Sequence, residues 1–315
     1  MRIAVFGAGG VGGYFGGRLA QSGAEVVFIA RGEHLNALRR DGLRVDSIAG
    51  DFHLREVQAS DAPGEIGAVD VVLLTVKSWQ VSEAAQAMGP LLHDDTLVLP
   101  LLNGVEAAEE LAALIGPQRV LGGLCRLVSF VAGPAHIRHT AVAPSLVFGE
   151  RHGRATARVA ALRTELAKAE GFEVHTPESI ETAIWSKFLF IAPVSGVGAV
   201  TRVPVGELRT IPETRGMLEE AMAEVAALAA ARGVTLPNDI VARTLDFLDA
   251  MPPDSTASMQ RDILAGRPSE LEQQSGAIVR LARPLGVPVP VNACLYRSLL
   301  PAERRARAQM SSDTS

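Results

Sequence analysis

The sequence predicts an α/β N-terminal domain built on a parallel sheet, followed by an all-α C-terminal domain. A glycine-rich turn follows a short apolar strand at the N-terminus, and strand and helix patterns alternate as far as about residue 178. Beyond that point strand patterns stop and amphipathic helical patterns take over. We therefore expect domains over 1–178 and 179–315, with a loose tail after about residue 303.

The first strand and the turn after it are the most informative stretch. Residues 1–6 are an apolar run typical of a buried strand, and a helical pattern extends from the turn to about residue 21. Glycines at this spacing let a backbone turn approach a pyrophosphate, whose charge then lies at a helix N-terminus. Because strand, turn and helix occur together, we predict a Rossmann-type dinucleotide-binding unit. Its turn residues are Gly7, Ala8, Gly9, Gly10, Val11 and Gly12.

The second strand ends at a basic residue. Residues 25–30 form this apolar strand, Arg31 follows it, and Arg39 and Arg40 lie a little further on. A dinucleotide fold that takes NAD usually has an acidic residue here, which binds the ribose 2′-hydroxyl. A cation suits a 2′-phosphate instead, so Arg31 predicts NADP(H) as the cofactor.

Two further apolar runs end in polar residues. Residues 69–76 are almost continuously apolar, as in a parallel strand buried on both faces, and Lys77 follows them. Residues 96–102 form another such strand and precede Asn103. Ligands of open α/β sheets bind outside the carboxyl ends of the strands. The positions at those ends predict one shared site: Gly7, Arg31, Lys77 and Asn103.

The remaining elements follow from periodicity and turn signals. Strands are predicted over 120–131, 136–140 and 145–148, with a turn at Gly133-Pro134. Helical patterns account for most of the second domain. They cover 179–190, 213–232, 238–248, 271–285 and 292–300, and residues 255–266 form a further helix or turn.

Composition excludes several classes of protein. A net charge of −5 with no basic stripe argues against nucleic acid as the partner. The two cysteines, Cys125 and Cys294, form no C-x-x-C, so we expect no disulfide framework and no zinc site. His136 and His139 lie in a predicted strand and turn and are interpreted as structural, so no metal is expected.

The expected location is the cytoplasm. A reducing compartment fits the low cysteine content, and the first core strand leaves no room for a signal peptide. The most apolar segment, residues 188–200, contains Pro193 and is interpreted as too short and too interrupted to span a membrane.

Lysine is rare in this chain. Of 30 basic residues only Lys77, Lys168 and Lys187 are lysine. Arginine does not deprotonate in a protein, whereas a lysine whose environment lowers its pKa can give up a proton. Lys168 lies near a predicted helix end, where a cation favours the helix dipole. Lys77 and Lys187 therefore remain as candidates for chemistry, with a surface lysine as the alternative interpretation of Lys187.

Several stretches run in one order across almost the whole chain. They are GAGGVGGYFGGRLA, Arg31-Gly32, TVKSWQV around Lys77, LLNGV around Asn103, GPAHIRHT, WSKF around Lys187, and SMQRDILAGRPSELEQQSG from Ser258. Together they resemble the 2-dehydropantoate 2-reductases (ketopantoate reductases), NADPH-dependent enzymes of the pantothenate pathway. The resemblance implies an oxidoreductase that reduces the C2 ketone of a 2-keto acid, with ketopantoate as the first candidate.

The resemblance also implies roles for individual residues. Lys187 would be the general acid that protonates the developing alkoxide, and Glu270 would orient it and bind a substrate hydroxyl. Ser258 would bind near the substrate carboxylate. Asn103 would lie between nicotinamide and substrate, and Lys77 would line the cofactor side. The alternative for Glu270 is a carboxylate favoured by a helix N-terminus, and both interpretations can hold together.

The substrate-binding asparagines of the family are replaced. The positions four and eight residues after Lys187 carry Ile191 and Ser195, and two further asparagine positions carry Ser255 and Ser275. Loss of these amides indicates a changed substrate preference, since a site built to bond a hydroxyl rejects analogues that lack it. Ser195 is kept as a candidate substrate-binding residue.

Two alternatives stay open. One is a related NAD(P)-dependent dehydrogenase of another keto or hydroxy acid, such as a β-hydroxyacid or opine-type enzyme. The other is a non-catalytic NADPH-binding sensor. The expected partners are a small 2-keto acid and, as an open point, a second copy of the chain in a homodimer; neither nucleic acid nor a membrane is expected.

Overall fold

The computed structural model describes residues 1–313, and the chain divides into two compact units. The first contains Met1–Leu102 and Ala107–Glu181, and the second contains Asn103–Glu106 and the chain from Thr182 onward. All strands of the described residues lie in the first unit, and the second is helical. The predicted fold class is therefore confirmed. The predicted domain boundary lies at 178/179, with Asn103 in the first domain.

Ten strands build two sheets in the first unit. They are β1 (Arg2–Phe6), β2 (Glu25–Ile29), β3 (Leu43–Ser47), β4 (Phe52–Leu54), β5 (Gln58–Ser60), β6 (Val71–Leu74), β7 (Leu97–Pro100), β8 (Gly122–Gly133), β9 (His136–Gly149) and β10 (Glu173–His175).

The first sheet has the strand order β5-β2-β1-β6-β7, and every pairing in it is parallel. Strands β6 and β7 are buried along their whole length, as their continuous apolar runs predict. The chain adds β2 on one side of β1 and β6 on the other. The edge between β1 and β6 is therefore a topological switch point, where ligands of such sheets bind.

The second sheet is organised around β9. This strand pairs antiparallel with β8, and parallel with β3 and with β10 along different parts of its length. The prediction of two separate strands over 136–140 and 145–148 is wrong, because β9 runs unbroken through both. The pairing between β8 and β9 shifts its register along the way, but β9 itself stays continuous.

Six helices belong to the first unit. They are α1 (Gly10–Gln21), α2 (Gly32–Asp41), α3 (Pro63–Ile66), α4 (Val81–Ala87), α5 (Ala107–Ile115) and α6 (Ala157–Leu166). Helix α1 carries most of the contact with the sheets, and its Tyr14 and Phe15 are fully buried in a shared core. The Tyr14 hydroxyl donates to the Gly171 carbonyl at 2.7 Å, which satisfies the only polar atom of that side chain.

The helices of the second unit surround a second core. They are α7 (Ile180–Thr201), α8 (Val205–Thr210), α9 (Pro212–Ala231), α10 (Ile240–Asp249), α11 (Ser258–Leu264), α12 (Ser275–Ala282) and α13 (Pro290–Asp313), of which α7 begins two residues before this unit.

Helix α7 is longer than the sequence analysis expected. Its 22 residues continue through Pro193, although proline removes a helical hydrogen bond. By length and composition it is the one described helix that could cross a membrane, so the expectation of a short, interrupted segment is wrong. Residues 192–199 are all buried, and the apolar ones contribute to cores of the second unit, so its burial is that of a core helix. The packing of these apolar side chains offsets the cost of the proline.

The C-terminal segment is helical rather than loose. Helix α13 extends to Asp313, which corrects the expectation of a tail from about residue 303, while Thr314 and Ser315 lie outside the described residues. Glu303 and Ala306 are buried on this helix. These two buried residues lie beyond or at the point where a loose tail was expected, and they pack the helix against the unit.

Candidate functional site

The glycine turn between β1 and α1 has the geometry that its sequence predicts. Gly7 has φ +104°, a conformation that side chains disfavour, and a Cβ there would lie 3.0 Å from backbone atoms of Thr75 and Val76. A Cβ on Gly12 would lie 2.1 Å from the Gly7 carbonyl oxygen and 2.4 Å from Thr75 Oγ1. Thr75 Oγ1 in turn donates to the Gly7 carbonyl at 2.6 Å. The turn is thus packed against the end of β6.

The N-terminus of α1 is suited to a phosphate. Gly9 is its N-cap, no side chain caps the helix, and its first turn contains no acidic residue. A Cβ built on Gly9 would meet nothing within 4 Å. A helix N-terminus with uncapped N–H groups and open space binds anions. The residues present therefore fit the pyrophosphate of a dinucleotide.

Arg31 lies at the carboxyl end of β2, where the sequence analysis expected a 2′-phosphate. It is exposed and forms an ion pair with Glu83 of α4 at 2.8 Å. Exposed ion pairs contribute about 0–1 kcal/mol, so Arg31 can exchange this partner for a phosphate at little cost. Arg39 and Arg40 lie in the last turn of α2 and bond to Ala59 and Asp41, so they do not join Arg31.

Lys77 follows β6, on the other side of β1 from Arg31. It is exposed, and its backbone N–H donates to Gln80 Oε1 at 3.1 Å at the start of a short 3₁₀ turn. Its Nζ lies 5.7 Å from the centroid of the Trp79 ring, within cation–π range. Gly7, Arg31 and Lys77 therefore each follow the carboxyl end of a parallel strand of the first sheet.

His34 is a residue of this region that the sequence analysis missed. Its Nδ1 accepts a hydrogen bond from the Ala135 N–H at 3.2 Å, and burial lowers its pKa despite an opposing contribution from the Ala8 backbone. The side chain thus connects the first turn of α2 with the glycine turn and with the turn between β8 and β9. A histidine three residues after Arg31 was the only signal in the sequence.

The two histidines interpreted as structural, His136 and His139, both contact β3. His136 Nε2 lies 2.8 Å from Asp46 Oδ2, and His139 Nδ1 lies 2.8 Å from Ser47 Oγ. Both contacts join β9 to β3. Within residues 1–313 no cluster of three or more histidine, cysteine or acidic side chains is arranged to hold a metal ion.

In the second unit the structure brings Asn103 and Glu270 together. Asn103 Nδ2 donates to Glu270 Oε2 at 3.1 Å, although the two residues lie 167 positions apart. Glu270 is buried, and Gly104 next to Asn103 has φ +101°. A Cβ on Gly104 would lie 3.0 Å from the Gln273 carbonyl oxygen, so glycine permits this close approach.

Lys187 and two of the replaced asparagine positions lie along α7. Lys187 is half-buried, and Ile191, one turn later, is half-buried against the second core. Ser195, a further turn on, is fully buried, and its Oγ has no hydrogen-bond partner among the described residues. Residues four apart share a helix face, so an apolar side chain follows Lys187 on its own face.

The other serines named from the resemblance occupy different environments. Ser258 is the first residue of α11 and is half-buried, and the Ser255 carbonyl accepts from Val205 N at 2.9 Å. Ser275 begins α12, is fully buried, and its Oγ lacks a partner within residues 1–313. The preceding Gln274 is also fully buried, with both polar side-chain atoms unpartnered in the described part of the chain.

These features define a class of protein. A parallel sheet with a glycine turn at its switch point, and a helix N-terminus open to phosphate, is a dinucleotide-binding unit. The helical unit contains Lys187 and Glu270, and the Glu270 carboxylate accepts a hydrogen bond from the Asn103 amide. Lysine and glutamate are groups suited to proton transfer.

Comparisons with known proteins identify the family. The family model described as "Ketopantoate reductase PanE/ApbA" matches residues 3–153, and the model of its C-terminal domain matches residues 179–303. An uncharacterized oxidoreductase, YkpB of Bacillus subtilis, is 30% identical over 95% of this chain and 98% of its own. A 2-dehydropantoate 2-reductase of Nostoc is 29% identical over 95% of this chain and 94% of its own. The chain belongs to the ketopantoate reductase family and is an oxidoreductase.

Solved structures agree with this assignment. A PanE/ApbA family ketopantoate reductase from Ralstonia eutropha superposes with a TM-score of 0.89 at 34% identity, covering 98% of this chain and all of that one. A D-mandelate dehydrogenase with NADH superposes with a TM-score of 0.87 over 98% of this chain and all of its own. Its identity is 23%, so that likeness concerns the fold alone.

Proposed function

We propose that this protein reduces a 2-keto acid to a 2-hydroxy acid with NADPH, with ketopantoate as the first candidate substrate. The observation that carries the proposal is the hydrogen bond from Asn103 to Glu270 at 3.1 Å. These are two of the residues to which the family resemblance assigns substrate and catalytic roles, and they come from distant parts of the chain. Family membership and the glycine turn support the same reaction.

The proposed chemistry needs a proton donor at the carbonyl oxygen. NADPH, when bound, supplies a hydride to C2 of the keto acid, which leaves negative charge on that oxygen. Lys187 would donate the proton, a step that typically contributes about 10²–10⁴-fold in rate. Glu270 would counter the lysine charge and bind a substrate hydroxyl, and Asn103 would hold the Glu270 carboxylate by its amide. Ser258 would bind near the substrate carboxylate.

NADP(H) is the proposed cofactor for three reasons. Arg31 rather than an acidic residue stands just after β2, it forms an exposed ion pair there with Glu83, and the N-terminus of α1 has no side-chain cap and fits a pyrophosphate. Ala8, Gly10 and Val11 complete the turn around Gly7, Gly9 and Gly12, and Lys77 would line the cofactor side.

We propose that the keto acid substrate is bound with fewer hydrogen bonds from asparagine side chains than the family pattern implies. Ile191 presents an apolar group one turn from Lys187, and Ser195 keeps its hydroxyl fully buried. A keto acid with a hydroxyl group placed against Ile191 would lose the hydrogen bonds of that hydroxyl to water, and Ile191 could not replace them. This observation favours the second candidate function, a reductase of a 2-keto acid with an apolar side chain. The two free thiol groups fit a cytoplasmic location.

An acceptor panel tests the proposal. Purified protein is given NADPH or NADH with ketopantoate, branched aliphatic 2-keto acids and an aromatic 2-keto acid, and nucleotide oxidation is followed by absorbance. We expect turnover with at least one 2-keto acid and a preference for NADPH. NADPH binding without oxidation by any acceptor would favour the sensor alternative.

A further inference from the structure

The C-terminal helix binds the backbone next to Glu270. Glu303 of α13 has a side chain only 2% exposed, and its two carboxylate oxygens accept from the Ser269 N–H at 3.1 and 3.0 Å. The Ser269 hydroxyl also donates to Glu303, at 2.6 Å. Ser269 immediately precedes Glu270 and is fully buried. The buried Glu303 carboxylate therefore accepts its hydrogen bonds from Ser269, the residue before the proposed catalytic Glu270.

The same network continues to the other side of Glu270. The Ser269 hydroxyl accepts from the Leu271 N–H at 3.2 Å, and Arg307 Nη2 donates to the Ser269 carbonyl at 2.9 Å. Arg307 Nε lies 2.7 Å from Glu303 Oε1, one helical turn away. The peptide groups before and after Glu270 are thus both held by bonds that depend on Glu303 and Arg307.

The Glu270 side chain has its own partner in Asn103. The backbone carbonyl of Glu270 accepts from Gln273 N at 3.1 Å and from Gln274 N at 2.9 Å, and these bonds fix the turn that follows Glu270. Holding this backbone fixes the point from which the Glu270 side chain extends, and so the position from which its carboxylate reaches Asn103. Charge-assisted hydrogen bonds such as those of Glu303 are about twice as strong as neutral ones, so they suit this task.

We propose that Glu303 is a positioning residue for the reaction. It acts through Ser269 and holds the Glu270 carboxylate where it contacts Asn103, and Arg307 completes the network. This inference rests on the proposed function, because it assigns Glu303 to the same acid–base group. It gives the helical segment beyond residue 303 a role in turnover in addition to packing.

The test compares Glu303→Gln, Arg307→Gln and the matched control Arg305→Gln, whose arginine is exposed on the same helix. Glutamine keeps the size of Glu303 but loses its charge and one acceptor. We expect Glu303→Gln to lower kcat by about 10²-fold, the effect of a misplacement on the order of 1 Å. Arg307→Gln should have a smaller effect, and Arg305→Gln none. The affinity for NADPH should stay unchanged.

Two readouts separate positioning from mere folding. The first is kcat per NADPH-binding site, which a purely structural loss of folded protein does not change. The second is a crystal structure of Glu303→Gln, in which the 3.1 Å contact between Asn103 Nδ2 and Glu270 Oε2 should be lost. Wild-type kcat per site with this contact intact overturns the inference. If the wild type binds NADPH but reduces no 2-keto acid, the proposed function fails, and the crystal structure alone decides the role of Glu303.

Discussion

Replacing Gly9 with alanine should leave the free protein stable and weaken its binding of NADPH. Gly9 has φ −73° and ψ −160°, which alanine adopts, and a Cβ there would meet nothing within 4 Å. The methyl group would stand in the open space in front of the α1 N-terminus. If a pyrophosphate occupies that space, the methyl group prevents its approach to the backbone N–H groups.

The expected magnitude follows from those hydrogen bonds. Bonds to a charged group contribute about 1.5–3 kcal/mol, so loss of one corresponds to a Kd for NADPH raised about 10–100-fold. The free protein should gain about 0.4–1 kcal/mol in unfolding free energy, since alanine restricts the unfolded chain. Calorimetric titration with NADPH and denaturant unfolding measure the two effects separately.

Two other glycines provide matched controls. Gly216 lies within α9 with nothing within 4 Å of its Cβ position, so Gly216→Ala should stabilise the helix by about 1 kcal/mol and leave NADPH binding unchanged. Gly12→Ala places a Cβ 2.1 Å from the Gly7 carbonyl oxygen and should destabilise the turn itself. A Gly9→Ala protein that binds NADPH as tightly as Gly216→Ala would refute the pyrophosphate assignment.

Further predictions concern the 2′-phosphate and acid stability. Arg31→Gln should weaken NADPH binding about 10–100-fold and leave NADH binding nearly unchanged, whereas Glu83→Gln should tighten NADPH binding by at most about fivefold; an unaltered ratio of the two Kd values in Arg31→Gln contradicts this role. The Arg158 guanidinium hydrogen-bonds Glu150 and lowers the pKa of that carboxyl below its ordinary 4.5. The depressed pKa stabilises the folded state above about pH 4.5, and this contribution is lost as pH falls through the folded pKa. Glu150→Gln should therefore cost about 2 kcal/mol at neutral pH and nothing in strong acid, by urea unfolding; equal losses at both pH values would contradict the assignment.

The elements predicted well from the sequence are those determined by local pattern. The strand–turn–helix around Gly7–Gly12 needs glycine at defined positions, and the apolar runs of β6 and β7 reflect burial on both faces. Each of these signals is complete within a short stretch of chain. The glycine turn and these two strands were therefore accessible to sequence reasoning alone.

The elements predicted poorly depend on distant contacts. The short strands β3 and β10 both pair with β9, which is remote from them along the chain. Pro193 indicates a helix end, yet α7 continues because the packing of its apolar side chains offsets the cost of the proline. The anchoring of α13 depends on Glu303 and Ser269, which lie 34 positions apart. The pattern of residues in a short stretch of sequence carries no information on contacts between such distant residues.

The proposed acid–base group of Lys187 and Glu270 lies between these cases. Lys187 attracted notice because lysine is rare in an arginine-rich composition, and Glu270 because of the resemblance. Asn103, the hydrogen-bond partner of Glu270, was expected from the end of a predicted strand. Its bond to Glu270 joins residues 167 positions apart, so only the structure could provide it.

The most direct test of the central claim is the turnover of Lys187→Arg with NADPH and the best 2-keto acid. Arginine keeps the positive charge but cannot donate the proton. We predict that Lys187→Arg binds NADPH like the wild type and loses turnover by about 10²–10⁴-fold, while the control Lys168→Arg keeps it. Full turnover by Lys187→Arg would show that the site needs only a charge, and would contradict the role of Lys187 as general acid.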